Sequence, residues 1–156
     1  MENKQNNKEI PVTRIGIDCG GVLFAHDTKY DKTNASHTED TSSTSCWMSG
    51  ALDALEELKK RNCELFIVSF AGKKRGDETR KTILSTVNHL IPENNIFIVN
   101  DRKLKGHICK EHNLQVLIDD RKDVLMEAQK TYPSLKCILF TSWKETLQKI
   151  KWMKQK

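Results

Sequence analysis

Residues 15 to 24 read IGIDCGGVLF. Ile15 and Ile17 form an apolar run that delivers one carboxylate, Asp18. A small thiol, Cys19, follows, then Gly20 and Gly21, then a second apolar run. A strand that ends in Asp and breaks at Gly-Gly places either a nucleophile or a glycine-rich phosphate loop in α/β enzymes. Which of the two this is depends on the rest of the chain.

Downstream, strand-like and helix-like stretches alternate. VTRIGID (12–18) reads as the first strand, ELFIVSF (64–70) as the second, NIFIVN (95–100) as the third, QVLIDD (115–120) as the fourth and KCILF (136–140) as the fifth. Between them, SGALDALEELKKRN spaces Leu52, Leu55 and Leu58 as one helix face, with Glu56 four before Lys60. GDETRKTILSTVNHL (76–90) predicts a helix with Asp77 as cap or first-turn acid, and GKKRG (72–76) before it a loop able to steer a phosphate or a nucleic-acid backbone. KLKGHICKEHN and RKDVLMEAQKTYP give two more helices. SWKETLQKIKWMKQK gives a last one, capped by Ser142 and docked through Trp143, Leu147 and Ile150.

Such alternation predicts βαβ units and a parallel sheet covered on both faces. Ligands of these sheets bind beyond the carboxyl ends of the strands. Asp18, Ser69, Asn100/Asp101, Asp119/Asp120 and Thr141/Ser142 stand at those ends.

Composition sets the outer bounds. The 156 residues are expected to form one domain over 11–156, after a polar, disordered leader at 1–10. Residues 25 to 46, dense in Thr, Ser, Asp and His, predict either a functional flap or a disordered insertion. The net charge of +5 favours anionic partners, nucleic acid among them, without choosing one. None of the five cysteines forms a C-x-x-C pair, and four lie in strand- or helix-like stretches, which favours buried reduced thiols; no apolar run is long enough for a membrane span. The expected setting is the cytoplasm; the sequence does not set an oligomeric state.

Three strand ends read together make a set of parts for phosphoryl transfer. Asp18 can attack phosphorus, the Ser69 hydroxyl and the Lys105 ammonium can hold phosphoryl oxygens, and Asp119-Asp120 can bind Mg²⁺, a hard ion that takes oxygen ligands. On these residues the sequence resembles the haloacid-dehalogenase-like (HAD) superfamily of phosphohydrolases, of the small-cap type, over roughly residues 12 to 142. IGIDCGGVL matches the family's D-x-D-x-[TV]-[LV] strand with Asp18 as nucleophile. LFIVS matches its second motif with Ser69, Lys105 (or the neighbouring Lys103) its third, and VLIDD its fourth. The resemblance implies an α/β Rossmann-like, five-stranded parallel sheet of order 3-2-1-4-5. It also implies Mg²⁺ held by Asp18, the Gly20 carbonyl and Asp119, with Asp120 or Asp123 supporting. Helix and strand follow Ser69 directly, so only the 25–46 flap can cover the site; in the family, small caps tend to accompany large substrates such as proteins and nucleic acid ends.

One position departs from the pattern. The family's second aspartate, two residues after the nucleophile, is its general acid and base; here it is Gly20. Losing such a group costs ~10²–10⁴-fold in rate. Three options follow: a substitute from the flap (His26, Asp27, Asp31 or His37), a substrate with a good leaving group such as an acyl or aryl phosphate, or a protein that binds phosphorylated ligands without turning them over. The expected function is a Mg²⁺-dependent phosphatase, with nucleotides or another phosphomonoester as substrate; the alternative is a weak or inactive phosphate-binding or regulatory relative. IGIDCGG also resembles the first phosphate loop of sugar kinases and actin-like ATPases, but that family needs Thr where Val22 stands and a far longer chain.

Overall fold

Runs of Ile, Val, Leu and Phe supply the strands of one parallel sheet. A computed structural model of the protein describes residues 13–26 and 42–154. The leader at 1–10 and the body of the flap lie outside the described residues. In chain order the elements are β1 (Thr13–Ile17), β2 (Phe24–His26), β3 (Ser42–Trp47), α1 (Ala51–Lys60), β4 (Cys63–Phe70), α2 (Lys73–Val87), β5 (Ile96–Val99), α3 (Leu104–Glu111), β6 (Val116–Asp119), α4 (Lys122–Thr131), β7 (Lys136–Leu139) and α5 (Trp143–Lys154). The main sheet runs β5-β4-β1-β6-β7, which is the expected 3-2-1-4-5 order of an α/β Rossmann-like fold. All four pairings are parallel.

β1 is central, and its register is tied on both sides: Ile15 faces Leu65 and Val116, and Ile17 faces Ile67 and Ile118. Alternation along the strands divides the core into two layers. Ile15, Ile17, Leu65, Ile67 and Ile118 meet Leu55 and Leu58 of α1, Ile83 and Val87 of α2, and Trp143 and Ile150 of α5. Phe66, Val68 and Leu117 meet Cys109 of α3 and Leu125 and Ala128 of α4 on the other face. Both isoleucines of β1 are fully buried, as a parallel sheet sandwiched between helices requires.

Three local expectations change. α2 starts at Lys73 rather than Gly76, so GKKRG is the helix's first turn and not a loop. Lysine and arginine are good helix formers, and Gly76 is placed where a Cβ would come within 2.9 Å of Ile98 Cγ2. Asp77 accordingly sits inside the helix, paired with Lys73 at 3.2 Å on the surface, and does not cap it. In α1 the buried stripe is Ala51, Ala54, Leu55 and Leu58, while Leu52 is 38% exposed. The two ends of the polar flap form an antiparallel ribbon, β2 with β3, in which Phe24 packs edge-on against Trp47.

The α5 expectation holds: Trp143 and Ile150 are buried, Leu147 packs beside them, and the Glu145 N–H donates to Ser142 Oγ at 3.2 Å. No helix of the described residues is long and apolar enough to cross a membrane.

Candidate active site

β1 and β6 are neighbours, and each delivers an acid at its carboxyl end. The Asp18 N–H donates to the Ile118 carbonyl at 3.0 Å, which locks the end of β1 beside the end of β6. Asp18 follows Ile17, so alternation turns its side chain toward the face covered by α3; Asp119, two past Leu117, turns the same way. Lys105, the second residue of α3, reaches into the space between them. Its Nζ lies 3.0 Å from Asp18 Oδ1 and 2.7 Å from Asp119 Oδ2. Lys105 is 2% exposed, Asp18 7% and Asp119 0%. Asp120 completes the cluster, each of the three acids offering a carboxylate oxygen within 4.8 Å of the others'.

Local structure explains why the chain holds these groups so tightly. After Asp18 the backbone turns sharply: the N–H groups of Val22, Leu23 and Phe24 all donate to the Cys19 carbonyl, at 2.9–3.1 Å. Gly21 takes φ 81°, a left-handed conformation that favours glycine. Gly20 does not take that conformation, and its carbonyl accepts none of the turn's backbone hydrogen bonds. The turn is fastened from outside by Trp143, whose indole N–H donates to the Val22 carbonyl at 2.9 Å. On the other strand, Asp119 Oδ1 accepts the Arg121 backbone N–H at 3.0 Å, which leaves Oδ2 for Lys105.

Of the three carboxylates, Asp18 and Asp119 share the one ammonium. Burial is the largest influence on Asp18, and it and the neighbouring Asp119 and Asp120 charges push its pKa up to about 7, against the opposing pull of Lys105. Burial also acts against the Lys105 ammonium, but Asp18 and Asp119 outweigh it and hold that pKa above the usual lysine range. The two shifts agree: one cation among several acids keeps its proton firmly while one carboxyl remains poorly compensated.

Of the residues expected at the site from sequence, Asp18, Lys105, Asp119 and Asp120 come together. Lys103 is exposed, and its side chain has no hydrogen-bond or ion-pair partner among the described residues, while its backbone N–H donates to Asp101 Oδ1 at 3.0 Å; Lys105 is the lysine of the cluster. Asp123 pairs with Arg121 on the surface, at 3.0 Å, which leaves Asp120 as the third acid. Ser69 is 3% exposed, one residue before the end of β4, opposite Ile98. Its hydroxyl has no hydrogen-bond partner among the described residues. A buried hydroxyl without a partner is costly, and an arriving anion would satisfy it. Ser142 caps α5 and Asp101 supports the start of α3, so those strand ends serve the fold. Of the four flap residues offered as substitute acids, Asp27, Asp31 and His37 lie outside the described residues, as does the His26 side chain.

Two positions were not legible as contributors. Gly106 lies directly after Lys105, and a Cβ there would come within 2.9 Å of Ala128 Cα and 3.1 Å of its carbonyl oxygen. Only glycine lets α3 approach α4 this closely. Arg14, on β1, holds the other end of α3: its Nε and Nη2 donate to the His112 carbonyl at 3.1 and 2.9 Å, and Nη1 pairs with Glu64. A small residue after the site lysine was the available signal for Gly106; nothing local marks Arg14.

Four of the five cysteines behave as packing residues, and Cys46 is exposed. Burial pushes the Cys109 thiol up to about 12 and the Cys137 thiol up to about 11, and Cys19 and Cys63 are buried as well.

No protein-family model matches the sequence, and no curated protein does. Solved structures match in fold. A HAD-superfamily hydrolase from Ehrlichia chaffeensis aligns over 92% of this chain and 98% of its own, with 14% identity and a TM-score of 0.58. A HAD family enzyme from Bacteroides thetaiotaomicron, solved as a magnesium complex, aligns over 88% and 98%, with 13% identity and a TM-score of 0.56. The N-terminal part of a Bacteroides fragilis protein, containing a phosphatase domain complexed with Mg, aligns over 90% of this chain and 39% of its own, with 11% identity and a TM-score of 0.54. At such identities the likeness is one of fold: the chain has the fold of these HAD hydrolases, with an acidic cluster able to hold a metal ion at the ends of its central strands.

Proposed function

We propose that the protein is a Mg²⁺-dependent phosphohydrolase of the HAD type that uses Asp18 as its nucleophile. The observation that carries this reading is the cluster of Asp18, Asp119 and Asp120 at adjacent strand ends, with the buried Lys105 paired to the first two. The donor set fits a hard divalent cation: carboxylate oxygens from three acids, plus a Gly20 carbonyl that no backbone donor of the turn uses. Asp18, Asp119 and the Gly20 carbonyl would hold the ion, with Asp120 in support. When bound, Mg²⁺ neutralises charge on the phosphoryl oxygens and on the clustered acids.

The chain's own residues divide the remaining work. An Asp18 carboxylate oxygen attacks phosphorus as the bond to the leaving oxygen breaks, giving an aspartyl phosphate. Water then attacks that phosphorus, releases phosphate and restores Asp18. Lys105 and the Ser69 hydroxyl would bind the phosphoryl oxygens, the first by charge and the second by a hydrogen bond it otherwise lacks. Among the described residues, the position two after Asp18 offers no proton for the leaving group, so turnover of ordinary alkyl phosphates is expected to be slow.

That same residue favours a second reading, in which the protein binds phosphorylated ligands and turns them over weakly or not at all. Phosphatase assays across alkyl, aryl and acyl phosphates decide between them. The hydrolase reading expects turnover that requires Mg²⁺ and is lost in Asp18→Asn; no turnover on any of these would sink it. Gly20→Asp is a clean companion, because Gly20 is not in a glycine-only conformation. It should raise alkyl phosphate turnover at least tenfold if a missing acid is the limitation. The substrate is left as a phosphorylated small molecule or a macromolecular end, nucleic acid included, and the free cysteines suit a reducing compartment such as the cytoplasm.

A further inference from the structure

A cleft of about 420 Å³ is lined not by the cluster residues themselves but by residues next to them in the chain. Phe70 follows Ser69, Asn100 to Lys103 lead into Lys105, and Arg121 and Val124 follow Asp119 and Asp120. That adjacency places the cleft within a residue or two along the chain of Ser69, Lys105 and Asp120, where a group attached to a phosphate at the cluster could extend. Phe70 and Val124 make its apolar part. Arg102 lies over the Phe70 ring, with its guanidinium carbon 4.1 Å from the ring centroid.

Of the other charged residues lining the cleft, Arg121 and Asp123 pair with each other at 3.0 Å, while Lys103 and Glu127 form no ion pair among the described residues. Asp101 accepts the Lys103 N–H. Arg102 forms no ion pair among the described residues, yet it is exposed and lines the cleft. A guanidinium held over a ring is a planar cation, and planar, electron-rich groups stack on guanidinium faces. An aliphatic group of equal size gains nothing comparable from it.

We propose that this cleft is the leaving-group site, and that Arg102 stacked on Phe70 makes it select phosphomonoesters whose leaving group carries a planar aromatic ring. The proposal rests on the phosphohydrolase reading for its reaction, but its recognition step can be tested without turnover.

The test compares benzyl phosphate with cyclohexylmethyl phosphate, which have primary-alcohol leaving groups of similar size and basicity but differ in planarity. Wild-type protein is expected to prefer the benzyl ester by about tenfold in kcat/KM. Arg102→Ala and Arg102→Lys should both reduce that preference to near unity, since lysine keeps the charge and loses the plane. Acetyl phosphate, whose leaving group is too small to reach the ring, should be turned over equally by all three proteins. Equal handling of the two esters by wild type, or a preference that survives Arg102→Lys, overturns the proposal while leaving the hydrolase reading intact. If no phosphate is hydrolysed, calorimetric binding of benzyl and cyclohexylmethyl phosphonates to Asp18→Asn protein, with and without Arg102→Lys, reads the same selectivity. An Arg102-dependent preference there supports the cleft although the hydrolase reading has failed; its absence refutes both.

Discussion

Lys105 is the residue on which the candidate site's stability turns. A buried ammonium between two buried carboxylates is costly to assemble, but removing one member costs more, because it leaves like charges facing each other. Lys105→Met is expected to destabilise the metal-free protein by about 3–5 kcal/mol near neutral pH, measured by urea unfolding. Millimolar Mg²⁺ should restore part of that loss, since a divalent cation supplies the missing positive charge.

Asp18 makes the opposite prediction at the same scale. Its folded-state pKa of about 7 lies above the unfolded value of 3.8, so the folded state holds the proton longer. The sign follows: this group's contribution to stability is best at low pH and is lost as pH rises from about 4 to about 7. In metal-free protein, Asp18→Asn should therefore gain stability relative to wild type across that window, read as a widening difference in Tm in the presence of a chelator. A difference that stays flat from pH 4 to pH 8 would falsify the assignment of Asp18 as the poorly compensated acid.

At the scale of elements, α3 is the part that positions chemistry. It is clamped at its far end by Arg14 on the His112 carbonyl and pressed on α4 through Gly106, and Lys105 sits next to that contact. Gly106→Ala would place a methyl group against Ala128 backbone, which cannot move aside as a side chain can. It is expected to destabilise the protein by about 1–3 kcal/mol and to lower any phosphatase kcat through displacement of Lys105. Gly72→Ala, where a Cβ meets nothing within 4 Å, is the control and should leave both measurements close to wild type.

The element scale also shows how local reading fails. GKKRG is expected to be a loop, yet its central cations begin α2 and Gly76 packs on Ile98. Glycine marks either a break or a close approach, and only the partner across the gap tells which.

For the molecule as a whole, two measurements follow from the packing. Cys19, Cys63 and Cys109 are buried, so a thiol reagent should modify Cys46 readily in the native protein and those three only on unfolding. Mg²⁺ should raise Tm by mass action on the folded state, about 2.7 kcal/mol of stabilisation at a hundredfold excess over Kd. Asp119→Asn should abolish that response. An unchanged response would remove Asp119 from the proposed ligand set.

The alternation of strand and helix predicts five strands in a parallel sheet, because strand period and burial on both faces leave few other ways to close such a chain. The order of those strands is implied by the resemblance to the HAD superfamily, and the structure has that order. Asp18 and Asp119 are legible as strand-end residues, since ligands of parallel sheets bind beyond the carboxyl ends of the strands; the resemblance adds that their strands are neighbours. What only the tertiary structure decided is which groups meet there. Lys105 rather than Lys103, and Asp120 rather than Asp123, follow from the way α3 and α4 are seated. That seating depends on contacts between residues far apart in the chain, Arg14 with His112 and Gly106 with Ala128, which no local pattern encodes.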